Sequence, residues 1–270
     1  MWRNPSESFA KIDVKYFARH KGEVNSCVFS PDCQILLTCS DDCRIFLWNA
    51  KTGQLLDKVC GHAGPVKACC FSSDSTRFAS ASHDCTVRVW LTASTQCLHE
   101  LKGHTKSVET VCFSPDSKLL LSAGWDKTAI LWDSQTGDIL RRFSGHEGAI
   151  QCSAFPLNSQ YLASGSWDRT VRVWNPQRGT LIFLLEGHTG WVKSLSFSRD
   201  GIMLASAGEH DMVRVWDMTK GTCLKSLQEQ MDLAQRCVFS PCGTLLTSGV
   251  ANSTFKTDSS TEDQARDTDQ

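Results

Sequence analysis

The chain has 270 residues, with 28 Lys and Arg against 29 Asp and Glu and a formal net charge of −1. This balance argues against a broad basic surface, so we expect no direct binding to nucleic acid or to a membrane. The longest aliphatic and aromatic run, residues 181–185, is too short to span a bilayer, and residues 1–7 lack the apolar core of a signal peptide. We therefore expect an intracellular protein, cytoplasmic in the first place, with a nuclear location left open.

Fourteen cysteines are spread along the chain, and no two have the Cys-x-x-Cys spacing of a common zinc site. We expect most to be reduced thiols that act as small buried hydrophobic residues, because counterparts in separate repeats lie far apart. Those that share a position in the repeats described below are Cys27, Cys69 and Cys237, then Cys43 and Cys85, then Cys97 and Cys223.

The first residues have two parts. Residues 1–10 show no periodic pattern and are expected to form a loose lead-in. Residues 13–17 are in register with residues 55–59, which precede the next Gly-His pair. The chain therefore begins with a predicted strand of a unit whose other strands come later.

A pattern of about 42 residues then repeats along the chain, and a period of roughly 40 to 45 residues is typical of a propeller blade. Its best-preserved copy is 145–174, which opens with Gly145-His146, closes an apolar run with Phe155 and ends with Trp174. The recurring residues are His20, His62, His104, His146 and His188; Phe29, Phe71, Phe113, Phe155, Phe197 and Phe239; and Trp48, Trp90, Trp132, Trp174 and Trp216.

Each copy predicts four strands. The first ends at the Phe, and a turn such as Ser30-Pro31-Asp32 suits a tight hairpin. The second strand ends in a small hydroxyl residue, and a short turn around an Asp leads to the third strand, which ends at the Trp. A fourth strand of variable polarity, such as residues 97–101, lies outermost.

These motifs resemble the WD-repeat β-propeller family, named for its Gly-His opening and Trp-Asp ending. The ending is literal at 132–133 and 216–217, becomes Trp-Asn at 48–49 and 174–175, and is lost at 90–91. The resemblance implies an all-β fold, a single propeller of four-stranded blades over residues 11–257. Counting the Phe that ends each first strand gives six blades. In this family an N-terminal strand, here within 11–18, completes the final blade and closes the ring, which removes an exposed sheet edge.

The sixth blade is degenerate. Where blade four has its His, Asp and Trp, the register places Gln230, Asn252 and Asp258, and the third strand shortens to 254–257. Seven blades are commoner in the family. Residues 258–270 are polar and acidic, so we expect a disordered tail.

Each of the first four blades also carries a His, a hydroxyl residue and an Asp, the residue types of a hydrolytic triad. Catalysis would need the hydroxyl at an open cleft beside an oxyanion hole, whereas here it lies inside an apolar strand and recurs around a ring. The resemblance implies structural tetrads in which Asp bonds His, His bonds the hydroxyl and the hydroxyl bonds the Trp indole. These sets are His20, Thr38, Asp42 and Trp48; His62, Ser80, Asp84 and Trp90; His104, Ser122, Asp126 and Trp132; His146, Ser164, Asp168 and Trp174; and His188, Ser206 and Trp216, with His210 in place of the Asp.

No cofactor or metal is expected. The histidines of separate blades cannot converge on one ion, and none has a Cys or His partner at ligand spacing. The glycines are single and mark turns, so no phosphate-binding loop is present.

A candidate binding surface lies on the rim where the loop after each Gly-His meets the turn before each tetrad Asp. That rim carries Trp125, Trp167 and Trp191 on three adjacent blades, with His83, Lys127, Arg169 and Glu147 around them. Aromatic anchors in a polar surround suit an interaction hot spot. The alternative is that each Trp packs over its own turn or against the next blade.

The resemblance favours a non-enzymatic scaffold that binds protein or peptide partners, as a monomeric disc within a larger complex. Fold alone does not fix function. One alternative is a substrate receptor of a cullin-type ubiquitin ligase, which often carries Trp-Asp-x-Arg, but residues 132–135 and 216–219 lack that Arg. A second alternative is a hydrolase that would lose activity on Ser164→Ala.

Overall fold

The computed structural model describes residues 17–209, 213–227, 234–239 and 246–250. These residues form 22 β-strands and no α-helix. Within these ranges no helix is long and apolar enough to cross a membrane.

Twenty of the strands form five four-stranded antiparallel sheets, which we call blades one to five. Blade one contains β1 to β4, at Val24–Phe29, Ile35–Ser40, Arg44–Asn49 and Leu55–Cys60. Blade two contains β5 to β8, at Val66–Phe71, Arg77–Ser82, Thr86–Leu91 and Cys97–Lys102. Blade three contains β9 to β12, at Val108–Phe113, Leu119–Gly124, Ala129–Asp133 and Ile139–Phe143.

Blade four contains β13 to β16, at Ile150–Ala154, Leu162–Ser166, Val171–Trp174 and Leu181–Leu185. Blade five contains β17 to β20, at Val192–Phe197, Met203–Gly208, Val213–Asp217 and Thr222–Leu227. Each sheet is a simple meander in which sequential strands pair. The all-β architecture of repeated antiparallel sheets is consistent with a propeller.

A two-stranded sheet follows blade five, formed by β21 (Ala234–Phe239) and β22 (Leu246–Val250). The described residues thus show five four-stranded blades and one strand pair, and the predicted count of six blades is not confirmed. The predicted strand at 254–257, the lead-in 1–10 and the tail 258–270 lie outside the described residues, as does 11–16 of the predicted N-terminal strand.

The four strands of a blade differ in how far they are buried. The second and third strands are buried along most of their length, as in β10, because neighbouring blades cover both of their faces. The fourth strands are mostly exposed, as in β12. A Ser closes the turn before the second strand in blades one, two, three and five, whereas blade four has Pro156 at that position. In blade three the Ser114 hydroxyl donates to Asp116 at 2.6 Å and accepts the Leu119 N–H at 2.9 Å.

The hydrophobic core lies between adjacent blades. One cluster joins Leu37 and Ile45 of blade one to Val66, Phe78 and Trp90 of blade two, all of them buried. Equivalent clusters lie between blades two and three, three and four, and four and five. Since each buried aliphatic or aromatic side chain contributes roughly 1.5–3 kcal/mol, contact between neighbouring blades is a main source of stability.

The cysteines are less buried than predicted. The thirteen described cysteines are free thiols, and only Cys39, Cys69 and Cys237 are fully buried. Cys27 shares its repeat position with Cys69 and Cys237 yet is exposed. A shared register position therefore did not ensure a shared environment, because burial depends on the neighbouring blade.

Candidate interaction surface

The tetrads form continuous hydrogen-bond chains that hold the rim in place. In blade four, Nδ1 of His146 lies 2.7 Å from Asp168 and Nε2 lies 2.8 Å from the Ser164 hydroxyl. The indole N–H of Trp174 donates to the same hydroxyl at 2.9 Å. The corresponding sets are His20, Asp42, Thr38 and Trp48; His62, Asp84, Ser80 and Trp90; and His104, Asp126, Ser122 and Trp132.

The hydrogen-bond donors determine where the protons lie in each tetrad. Since the Trp174 indole donates to the Ser164 oxygen, the hydroxyl proton is left for Nε2 of His146, and Nδ1–H donates to Asp168. Burial opposes the charged form of Asp168, but hydrogen bonds from His146, Thr170 and the Glu147 backbone outweigh it and hold its pKa well below the usual range. Every polar group of the tetrad is therefore paired in this hydrogen-bond arrangement.

The tetrad Asp also joins the two loops of the rim. Asp168 accepts the backbone N–H of Glu147 at 2.9 Å and that of Thr170 at 3.0 Å. The N–H of Trp167 donates to the Ala149 carbonyl at 2.9 Å. These bonds place the loop after the Gly-His pair beside the turn between the second and third strands, as the sequence pattern suggests.

The tetrad serines are poorly placed for catalysis. Ser164 is 0 % exposed, and its hydroxyl is already engaged by His146 and Trp174. A substrate carbonyl would have to enter the packed interior to reach it. In blade five, Ser206 bonds His188 and Trp216 at 2.6 and 2.8 Å, while His210 lies outside the described residues.

The three rim tryptophans predicted from sequence meet in one row, which we call the Trp row: Trp125, Trp167 and Trp191. The rings of Trp125 and Trp167 lie 5.0 Å apart between centroids at 62°, an edge-to-face contact. Those of Trp167 and Trp191 lie 4.3 Å apart at 10°, a stacked contact. Aromatic pairs of this kind contribute about 0.5–1.5 kcal/mol beyond the area they bury.

The Trp row remains open to solvent at both ends. Trp125 is 44 % exposed and Trp191 is 40 % exposed, whereas Trp167 between them is half-buried. The Nε1 atom of Trp167 is buried and has no hydrogen-bond partner among the residues that the structure describes. The row thus keeps exposed aromatic faces although its members also pack on one another.

Charged groups surround one end of the Trp row. Nζ of Lys193 lies 5.1 Å from the ring centroid of Trp191, a cation–π distance, and 3.6 Å from the carboxylate of Glu209. An open cleft of about 650 Å³ lies beside the Trp191 end of the row. It is lined by Trp167, Arg169, Thr189, Gly190, Trp191 and Glu209.

The other predicted rim residues are only partly gathered. Arg169 lines the cleft, while Lys127 and Glu147 are exposed on the rim without a side-chain hydrogen bond in the described part of the chain. His83 makes no ring contact with the row within these ranges. Lys67 and Asn25 bond Asp41 and lower its pKa, and the charge of His83 adds to this effect.

Sequence reasoning missed Lys193 and Glu209. Lys193 follows Trp191 by two residues at the start of a strand, so both side chains point to one side of the sheet. Glu209 occupies the turn position that Trp125 and Trp167 hold in their own blades. Both signals were present in the register.

The comparison with known families agrees with this geometry. The model of the family described as "WD domain, G-beta repeat" matches residues 12–49, 53–90, 95–133, 137–175 and 179–217. The chain belongs to the WD40 repeat family. The resemblance inferred from the motifs is thereby confirmed, and WD40 proteins are generally interaction scaffolds without catalytic activity.

Two curated WD40 relatives are similar over a short segment. WD repeat-containing protein 38 of Homo sapiens is 52 % identical over 48 residues, and the protein of the same name from Mus musculus is 46 % identical over 48 residues. The segment is 18 % of this chain but only 15 % and 16 % of those relatives.

Proposed function

We propose that this WD40 chain is a non-enzymatic scaffold that binds a protein or peptide partner through the Trp row. The observation that supports the proposal is the continuous contact of Trp125, Trp167 and Trp191, which brings three indoles from adjacent blades to one place on the rim. The two outer indoles are exposed. Large aromatic anchors with a polar surround are typical of interaction hot spots.

Hydrogen bonds also preorganise the rim before a partner binds. The tetrad Asp residues fix the turns that carry Trp125 and Trp167, and backbone bonds tie each turn to the preceding loop. A rigid surface loses little conformational entropy when a partner binds, so more of the contact energy appears as affinity.

Two variants test the proposal: Trp125→Ala and Trp191→Ala, made in the full chain. Proteins captured by the wild type in cells through proximity labelling are measured by pulldown with each variant. We expect recovery to fall at least about tenfold with little change in melting temperature, since truncating a hot-spot residue costs roughly 2 kcal/mol or more.

Ile202→Ala is the matched control, because Ile202 is slightly more exposed, at 50 %, but lies in the turn before a second strand, at the opposite rim. Recovery should be unchanged for this control. A lower melting temperature with full partner recovery in the Trp variants would show that the Trp row serves packing only.

The two alternative functions gain no support from the described residues. The residue after Trp132-Asp133 is Ser134, which is buried and donates a hydrogen bond to the Ser117 carbonyl at 2.6 Å. Gln135 then stands where a ligase receptor would present its Arg. The hydrolase hypothesis requires a reachable hydroxyl, and that of Ser164 is enclosed.

We also propose that residues 11–257 close into a ring of six blades in an intracellular protein, with 1–10 and 258–270 outside the ring. Val24 and Phe29 on β1 are 52 % and 57 % exposed, whereas Val66, at the position of Val24 in blade two, is fully buried by the preceding blade. The open face of β1 is where a sixth blade would pack. Phe17 already packs edge-to-face on Trp48 at 5.5 Å, as expected of the end of a closing strand.

A further inference from the structure

The outer strands of four blades carry charged residues. An outer strand has one edge with unpaired backbone groups, and charged side chains on such a strand discourage pairing with another chain. The charged residues on these strands are Asp57 and Lys58 on β4, Glu100 and Lys102 on β8, Arg141 and Arg142 on β12, and Lys225 on β20.

The outer strand of blade four lacks this protection. β16 reads Leu-Ile-Phe-Leu-Leu from Leu181 to Leu185 and contains no charged residue. Leu181, Ile182 and Leu184 are each 40–42 % exposed. β16 is therefore an apolar edge of the kind that pairs with another strand.

The missing charge also means that an ion pair of blade two has no counterpart among the described residues of blade four. In blade two, Arg88 on the third strand faces Glu100 on the outer strand and donates to it at 2.9 Å. In blade four, Arg172 faces Leu184 in the same register. The exchange of Glu for Leu at this position gives up an ion pair and adds apolar surface to the edge.

The residues on either side of β16 are complementary in charge. Arg178 and Glu186 are both exposed, and neither side chain has a hydrogen bond or ion pair within the described residues. An antiparallel pairing of two β16 strands centred on Ile182 brings Arg178, in the turn before β16, and Glu186 of the other copy, directly after its β16, to the same end of the paired strands. The same register sets Ile182 against its own counterpart and Leu181 against Phe183.

We propose that β16 is a self-association edge, at which two copies of this chain pair antiparallel about a twofold axis. Such an isologous contact covers both apolar edges at once and leaves no further edge at blade four, so assembly stops at the dimer. Because the contact is narrow, the dimer is weak and depends on concentration. This surface is separate from the Trp row and replaces the expectation of a monomeric disc.

Sedimentation velocity of the full chain over a concentration series tests the proposal. Wild type should shift from monomer to dimer as concentration rises. Leu184→Glu should weaken the dimer at least about tenfold, while its melting temperature is maintained or raised because the new carboxylate faces Arg172 as Glu100 faces Arg88. Leu140→Glu on the charged strand β12 is the control and should leave the dimer unchanged.

The register is tested by charge reversal. Arg178→Glu and Glu186→Arg should each weaken the dimer, and the double variant should restore it. A wild type that stays monomeric, a dimer that survives Leu184→Glu, or a double variant that fails to recover would each overturn the proposal. Recovery of a different protein through this edge by a monomeric chain would also overturn it.

Discussion

At the scale of single residues, the tetrad hydroxyl has the most demanding position. Ser164 is fully buried and serves two partners, the acceptor Nε2 of His146 and the donor Nε1 of Trp174. Buried polar groups cost little only while each one is paired. Removing one oxygen atom therefore affects two other side chains.

We expect Ser164→Ala to lower the free energy of unfolding by roughly 1–3 kcal/mol, the cost of leaving buried groups unpaired. Ser164→Thr is the matched variant and should lose less, because Thr38 makes the same two bonds in blade one. Urea unfolding followed by tryptophan fluorescence measures both. Equal losses for the two variants would contradict the assigned role of the hydroxyl.

The tetrad carboxylates make stability depend on pH. Burial of Asp126 opposes its charge, but bonds from His104, Thr105 and Thr128 outweigh this and lower its pKa from 3.8 to about 2. A depressed folded-state pKa stabilises the protein above the unfolded pKa, and this stability is lost as pH falls through the folded one. The relevant window is therefore about pH 4 to 2.

Asp126→Asn should lower the melting temperature at neutral pH, and its difference from wild type should shrink as the pH falls from 4 to 2. Circular dichroism melts across this range measure the effect. Asp138→Asn is the control, because the exposed Asp138 side chain has no hydrogen bond in the described part of the chain. A constant difference between Asp126→Asn and wild type at all pH values would argue against the assigned ionisation.

At the scale of strands, an apolar residue near the end of the outer strand packs on the next blade in blades one to four. Val59 and Leu101 are buried in the clusters that contain Trp90 and Trp132. Phe17 holds the corresponding position before blade one and packs against Leu36, Phe46 and Trp48. The segment leading into blade one thus ends with the same type of contact as the outer strands.

Phe17→Ala should destabilise the protein by roughly 1–3 kcal/mol, less than the 3–5 kcal/mol typical of a fully buried Phe, because Phe17 is half-buried. Thermal unfolding measures the loss, and Phe17→Leu should recover part of it. If Phe17→Ala melts at the wild-type temperature, the segment is not part of the packed structure and the ring-closure proposal fails with it.

At the scale of the whole molecule, the blades share one fold, but their first strands differ in how far the preceding blade covers them. The first strand of blade three, β9, is covered by blade two, and its Val108 is fully buried. The inner strand of blade one exposes Val24 and Phe29 instead. Local opening is easier where few apolar contacts cross an interface.

Hydrogen exchange should therefore show faster amide exchange in β1 than in β9. Both strands pair with only one neighbour in their own sheets, so the comparison isolates the effect of the adjoining blade. Mass spectrometry of peptides from the two strands gives the rates. Equal protection would mean that β1 is covered as well as β9 and would remove the reason for assigning an open face there.

Much of the repeat architecture could be predicted from sequence because the signals recur in register. The spacing of His146, Ser164, Asp168 and Trp174 indicated the tetrad, and the structure places these side chains in contact. The blade count was not settled, since the degenerate stretch beyond Phe239 carries weak strand signals. The exposure of Cys27 could not be predicted, because it depends on which blade adjoins β1.

The Trp row was predicted only as a set of residues on one rim. Contact among the three rings depends on the rotation between neighbouring blades and on rotamers, which no spacing encodes. His83 was grouped with the row by register, yet its charge contributes to lowering the pKa of Asp41, after the larger effects of Lys67 and Asn25. The repeat register predicts which residues lie on the rim, whereas the packing of the blades decides which of these side chains contact each other.

The stacking of Trp167 on Trp191 gives this molecule an optical reporter. Two indole rings 4.3 Å apart and nearly parallel couple their electronic transitions, so they should produce a paired circular dichroism band that isolated indoles lack. The tetrad tryptophans lie in separate blades, and in the described part of the chain no ring contact joins two of them. A molecule that slides between these rings or turns one of them would change the band directly, so occupancy of the rim becomes visible in unlabelled protein.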